Sequence, residues 1–276
     1  MRKIDAHHHF WKYDRSQYGW IGENMSAIRR DFLPADLKIH IDKAGVEGVV
    51  SVQARQSIQE TIWLLSLASQ FGFIRGVVGW VHLAGRSVKA DLDSLSQEKK
   101  LKALRHVLQS EPDENYMLRD DFNAGVAMLK NYSLTYDILI FERHLSQTIK
   151  FVDRHPGQVF VVDHVAKPRI KDNVISPWRE NIKELAKRKN VYIKLSGMVT
   201  EADWAAWTPQ QLRPYVDTVL EAFTPRRVMF GSDWPVCQLG CTYARWIETV
   251  GRFIESLSTA EQERVWGGTA IEAYKL

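Results

Sequence analysis

Apolar residues along this chain come in short, β-branched runs separated by longer stretches of helical spacing, and eight such runs recur. They fall at 3–10, 47–53, 72–81, 101–108, 134–140, 158–164, 190–196 and 227–233. Amphipathic segments at 60–69, 121–130, 145–155, 178–189 and 210–222 stand between them, each ending near Gly, Pro or Asn as helix stops do. Strands that alternate with helices pair in parallel through right-handed crossovers, so eight units predict an α/β fold of the closed (β/α)8, or TIM-barrel, kind. No Gly/Ser linker breaks the series, and 276 residues fit one barrel, so a single domain over 1–276 is expected.

Two segments fall outside the alternation. Residues 11–34 form an irregular insert after the first strand, rich in Trp, Tyr and Arg, which in a barrel hangs over the catalytic face. Residues 258–276 read as two short helices on either side of Gly267-Gly268, with a packing role.

Composition narrows the class. Hydrophobic residues at 45% and charged residues at 25% supply a large core and exclude global disorder. The net charge of +4 is scattered, and the basic cluster at 183–189 alternates with Glu and Leu as a solvated helix face does, so no nucleic-acid partner is implied. The two cysteines, Cys237 and Cys241, share one loop without a second pair to complete a thiolate zinc site. A reducing compartment and no required disulfide are expected. The N-terminus lacks an apolar leader and no run is long enough for a membrane span, so the expectation is a cytoplasmic protein, with a homo-oligomer left open.

In such a barrel the reactive groups project from the C-terminal ends of strands. The first strand ends in His7-His8-His9, where alternation sends His7 and His9 to one side and His8 to the other. The sixth ends in Asp163-His164 and the eighth in Gly231-Ser232-Asp233. Imidazoles and a carboxylate suit one divalent ion, zinc foremost, so His7, His9, His164 and Asp233 are the candidate ligands, and Asp233 is alternatively the base itself. Three adjacent histidines near an N-terminus also occur as tag remnants, but here they sit within strand sequence.

Further candidates are weaker. Arg105 ends the fourth strand beside His106 and offers a guanidinium fork to a carboxylate or ring oxygen, or else buttresses a loop. His144 follows the fifth strand as a substrate contact or a structural hydrogen bond. Trp11, Trp20 and Trp234 could stack on a sugar ring or cap the core, and Arg30 belongs to the insert. His8, His40 and His155 read as structural.

These residues carry a resemblance that covers nearly the whole chain. Ile4-Asp5-Ala6-His7-His8-His9-Phe10-Trp11, Arg30-Asp31-Phe32-Leu33-Pro34, Arg105-His106-Val107-Leu108-Gln109, Asp163-His164 with Lys167-Pro168, Lys194-Leu195-Ser196-Gly197 and Gly231-Ser232-Asp233-Trp234-Pro235 are the motifs. With them the chain resembles the amidohydrolase-related family that contains sugar-acid lactonases, such as L-fuconolactonases and L-rhamnonolactonases, and aromatic-pathway lactonases. The resemblance implies a distorted (β/α)8 barrel and a sugar-lactone substrate. It places His7, His9 and Asp233 around the reaction centre, with His164 as a proton-transfer group; in the mechanism expected here, Arg105 and the loop from Trp11 to Arg30 recognise the hydroxyls. Members differ in metal use, so metal-independent catalysis stays open. Ser196 ends the seventh strand and Arg105 stands where binuclear relatives carry a bridging Lys, so a two-metal centre is not expected. His82 stands where similar sequences carry Asp. A metal-dependent non-oxidative decarboxylase, which would need His144 as a ligand, and a non-catalytic sugar-binding barrel are the rival readings.

Overall fold

The structure, a computed structural model, describes residues 2–276. The eight apolar runs become eight parallel strands that neighbour one another in chain order. They are β1 (Ile4–His8), β2 (Gly48–Val52), β3 (Ile74–Gly79), β4 (Leu101–His106), β5 (Thr135–Ile138), β6 (Phe160–Val162), β7 (Val191–Leu195) and β8 (Val228–Phe230). Helices α1 (Pro34–Ala44), α2 (Ile58–Gln70), α3 (Val88–Leu95), α4 (Asp120–Met128), α5 (Leu145–Asp153), α6 (Trp178–Leu185), α7 (Pro209–Phe223) and α8 (Tyr243–Ile254) follow the strands in turn. Several strands are shorter than their apolar runs, because the last residues of each run leave the ladder and turn over the barrel mouth. Among the described residues, no helix is long and apolar enough to cross a membrane.

Alternation divides the strand side chains between two cores. Val49, Val77, Leu104, Tyr136, Ile138, Phe160, Val162, Ile193 and Leu195 pack outward with the helices. Val50, Val52, Val78, Ala103, Val161 and Met229 face inward with Ile4 and Ala6, and small residues there suit the narrow lumen. The tail continues as α9 (Thr259–Glu263) and α10 (Thr269–Tyr274), and α10 presses Ala270, Ala273 and Tyr274 against that inner cluster. The expected packing role is therefore met, and the tail does more: Tyr274 donates its phenol to Asp137 at 2.8 Å, inside the barrel.

β1 and β8 close the ring without a regular ladder, through a single bridge between His8 and Trp234. His9 N donates to Trp234 O and Asp233 N to His7 O, both at 2.7 Å. Asp5 completes the seam, its Oδ1 accepting from Ser232 N at 2.8 Å and from His7 N at 3.2 Å, and its Oδ2 from the Tyr243 hydroxyl at 3.1 Å. Burial pushes the Asp5 carboxyl up to about 6 against the pull of those Ser232, His7 and Tyr243 hydrogen bonds. Along β1 the pairing steps from Asp5–Val49 to His8–Ser51, three residues against two, which is a β-bulge. Asp5 can therefore reach Tyr243 at the start of α8, outside the wall, while His7 points into the lumen.

Asp5→Ala strands three donors at this seam. It is expected to lower the unfolding free energy by about 1–3 kcal/mol, read from the urea midpoint. An unchanged midpoint would show that closure does not depend on Asp5.

Candidate active site

Three strand ends deliver their histidines and carboxylate to one point. His9 Nε2 lies 3.1 Å from His7 Nε2 and 3.4 Å from Asp233 Oδ1. His7 Nε2 and His164 Nε2 face the same oxygen at 3.7 and 3.9 Å. His7, His164 and Asp233 present buried ligand atoms that all fall within 4.8 Å of one another. His8 points away, as alternation requires, and meets the Ser51 hydroxyl at 2.8 Å.

Each imidazole is oriented through its other nitrogen. His9 Nδ1 is 2.8 Å from the Val52 carbonyl, which can only accept, so that nitrogen carries a proton and Nε2 is the atom presented to Asp233. His164 Nδ1 meets Ser196 Oγ at 3.0 Å, and His7 Nδ1 faces Asp163 Oδ1 at 3.3 Å. Tethered imidazoles converging on a carboxylate are the donor set of a single N/O-coordinated ion with its outer shell in place, so a divalent metal fits these residues. Burial lowers the pKa of His164 to about 4 despite the nearby carboxylates, which keeps it neutral. Burial alone would raise Asp233, but His164 and the hydrogen-bonded His9 more than offset it, so its carboxyl lies below the ordinary value and stays ionised.

The backbone at this point is strained. Asp233 adopts φ +56°, and four consecutive non-glycine residues from His164 to Lys167 are left-handed, with φ between +47° and +61°. Such residues cost about 1–3 kcal/mol each and persist only where surrounding contacts over-determine them. Here Trp178 Nε1 pins the turn by donating to Val165 O at 2.8 Å.

Beneath the histidines lies a sealed ionic cluster. Lys194 Nζ contacts Asp137 Oδ2 at 2.6 Å, Asp163 Oδ1 at 2.9 Å and His7 Nδ1 at 3.2 Å. Arg105 donates to Asp163 Oδ2 at 2.8 Å and to the Gln53 carbonyl. Two cations thus balance two carboxylates, the condition under which charge survives burial. Burial pushes the Asp137 carboxyl up to about 6, whereas Lys194 and His7 overcome burial at Asp163 and hold it well below the ordinary value.

Above the cluster opens a cavity of about 600 Å³, lined by His9, His164 and Asp233 together with Arg55, Lys167 and Glu201. Arg105 reaches its floor as expected of a substrate contact, and its terminal nitrogens are also bonded to Asp163 and Gln53, so it supports the cluster under His7 as well. Four other expected contacts lie outside the lining. His144 uses Nδ1 to accept from Phe141 N at 3.3 Å and caps a turn. Trp11 is fully buried, donating to Arg30 O and packing on Phe32. Arg30 lies over the Phe32 ring at 3.9 Å. Trp234 is fully buried between Phe10 and Phe32. The insert does cover the cavity, but through Trp20 and Met25.

Several lining residues carried no sequence signal. Arg55 and Gln56 follow β2, Ser110 follows β4, and Thr200, Glu201 and Trp204 follow β7, all in loops without periodicity, whereas Gln109 closes the motif that begins at Arg105. Lys167 and Lys194 stood within recognised motifs, but nothing in the motifs showed which way they point.

A hydrolytic, metal-type centre at the mouth of a (β/α)8 barrel is the class of protein this defines. The family profile described as Amidohydrolase matches residues 4–276, and the chain belongs to that family. It is 40% identical to an L-fucono-1,5-lactonase of Burkholderia multivorans over 99% of this chain and 96% of that protein. It is 35% identical to an L-fucono-1,5-lactonase of Burkholderia ambifaria, over 99% of this chain and 96% of that one. A crystal structure of a Burkholderia multivorans amidohydrolase with bound zinc superimposes with a TM-score of 0.97 at 39% identity, covering all of both chains.

Gly197 adopts φ +62°, and a Cβ there would sit 2.3 Å from His164 Nδ1. Gly197→Ala is expected to fold but to displace His164 and lose catalysis. Activity matching wild type would show that His164 need not hold its observed position.

Proposed function

We propose that this chain hydrolyses a sugar lactone to its open sugar acid by water attack on the ring ester. The carrying observation is the convergence of His7, His9 and His164 on one Asp233 oxygen at the floor of a cavity sized for a small ligand. The two relatives named L-fucono-1,5-lactonase support an aldono-1,5-lactone as the substrate class. His144, which a decarboxylase centre would recruit, lies outside the converging group of His7, His164 and Asp233 and outside the cavity lining, so nothing favours that rival.

Asp233 is the general base. Its carboxylate is ionised and faces the point where imidazoles converge, and water held there can pass it a proton. His164, neutral and tied by Ser196, orients the same water or relays the proton. A divalent ion held by His7, His9, His164 and Asp233, zinc first among candidates, supplies Lewis-acid polarisation of the carbonyl and acidifies water when bound. The cavity walls at Gln56, Gln109 and Ser110 offer hydrogen bonds to ring hydroxyls, and Trp20, Met25 and Leu239 an apolar face.

A pH-indicator assay over a panel of aldonolactones is expected to show ring opening by wild type. Asp233→Asn, nearly isosteric, should lower kcat by about 10²–10⁴-fold, with metal content measured on the same sample. Turnover close to wild type would remove Asp233 as the base.

A further inference from the structure

Ring opening needs more than an activated water, because the ring oxygen leaves as an alkoxide and requires a proton. The cations near the cavity are not equally placed to give one. Lys194 is fully buried below His7, and Arg105 is committed to Asp163 and Gln53. Arg55 is drawn towards the insert, donating to Gln17, lying 5.1 Å over the Tyr18 ring and 3.5 Å from buried Glu60. A guanidinium does not release its proton in any case.

Lys167 is different. The left-handed turn that begins at His164 completes one revolution at Lys167, whose amide donates to His164 O at 2.8 Å. One turn brings both side chains into the same cavity wall, beside Asp233. The ammonium is held there by Glu201 Oε1 at 3.5 Å and lies 5.4 Å over the Phe141 ring. Glu201 is fixed in turn: its carbonyl accepts from Lys171 N at 3.0 Å, and its amide donates to Met198 O at 3.2 Å. Burial raises the Glu201 carboxyl, with Lys167 pulling the other way. The strained turn thus aims a second functional group as well as His164.

We propose that Lys167, positioned by Glu201, is the acid that protonates the leaving ring oxygen. This rests on the lactone-hydrolase reading. Water gives one proton to Asp233 as its oxygen bonds to the carbonyl carbon. The bond from that carbon to the ring oxygen then breaks, the electron pair leaves on oxygen, and the oxygen takes a proton from the Lys167 ammonium. Ionisation of the new carboxylic acid returns a proton to Lys167, and Asp233 releases its own to solvent, so one proton is liberated per lactone opened.

The test compares wild type, Lys167→Met and Lys167→Arg on an aldono-1,5-lactone and on the thiolactone of the same sugar, whose thiolate leaves without protonation. Lys167→Met is expected to lower kcat on the oxygen lactone by about 10²–10⁴-fold with KM changed only slightly, while thiolactone turnover stays near wild type. Lys167→Arg, which keeps the charge and the fit to Glu201 but holds its proton, should lose nearly as much on the oxygen lactone. Equal losses on both substrates, a loss confined to KM, or near-wild-type activity of Lys167→Arg would overturn the proposal. Failure of wild type to open any oxygen lactone would instead overturn the lactone-hydrolase reading.

Discussion

The site rests on charge neutrality inside a closed barrel. A lumen lined by Val, Ala and Met cannot hold a lone ion, yet Lys194, Arg105, Asp137 and Asp163 all stand in it with almost no exposure. They are tolerated because the two cations and two carboxylates contact one another directly. Removing one partner of such a set typically costs about 3–5 kcal/mol, because it strands the others. Tyr274 satisfies the far side of Asp137, which ties the C-terminal helix to the chemistry at the opposite end of the barrel. The cluster ends at His7 Nδ1, so the ring that carries the innermost nitrogen of the site is held by groups contributed from β4, β6 and β7.

A second constraint acts from above. His164 and Asp233 both occupy left-handed backbone that their residue types seldom adopt, and Gly197 lies so close to His164 that a Cβ would overlap the ring. Strain and close packing together leave these side chains little freedom, which suits groups that must meet water and substrate at fixed distances. The rigid lower half and the strained rim divide the labour: neutral burial fixes His7, and backbone geometry fixes His164, Asp233 and Lys167.

Much of this was legible in the sequence. The periodicity located all eight strands, and strand-end chemistry singled out His7, His9, His164 and Asp233, because a parallel barrel delivers strand ends to one face whatever the loops do. Alternation also separated His8 from its neighbours correctly. It failed one step earlier: strict alternation would put Asp5 on the side of His7, and only the bulge in β1 sends it out to Tyr243. For Arg105 the sequence left a fork and a buttress both open, because it does not reveal the bonds to Asp163 and Gln53. Trp11, Arg30, Trp234 and His144 were plausible by residue type, but their orientation depends on tertiary packing in the insert and in the turn after β5. Lys167 was hidden for the converse reason, since its direction comes from a left-handed turn of residues that do not favour one.

The most direct measurement is an anomalous difference map at the zinc edge from crystals of the wild-type protein equilibrated with zinc. The account predicts one peak bounded by His7, His9, His164 and Asp233, with His144 and Arg105 outside its coordination sphere. A peak lodged elsewhere, or one that recruits His144 while these four side chains disperse, would contradict it.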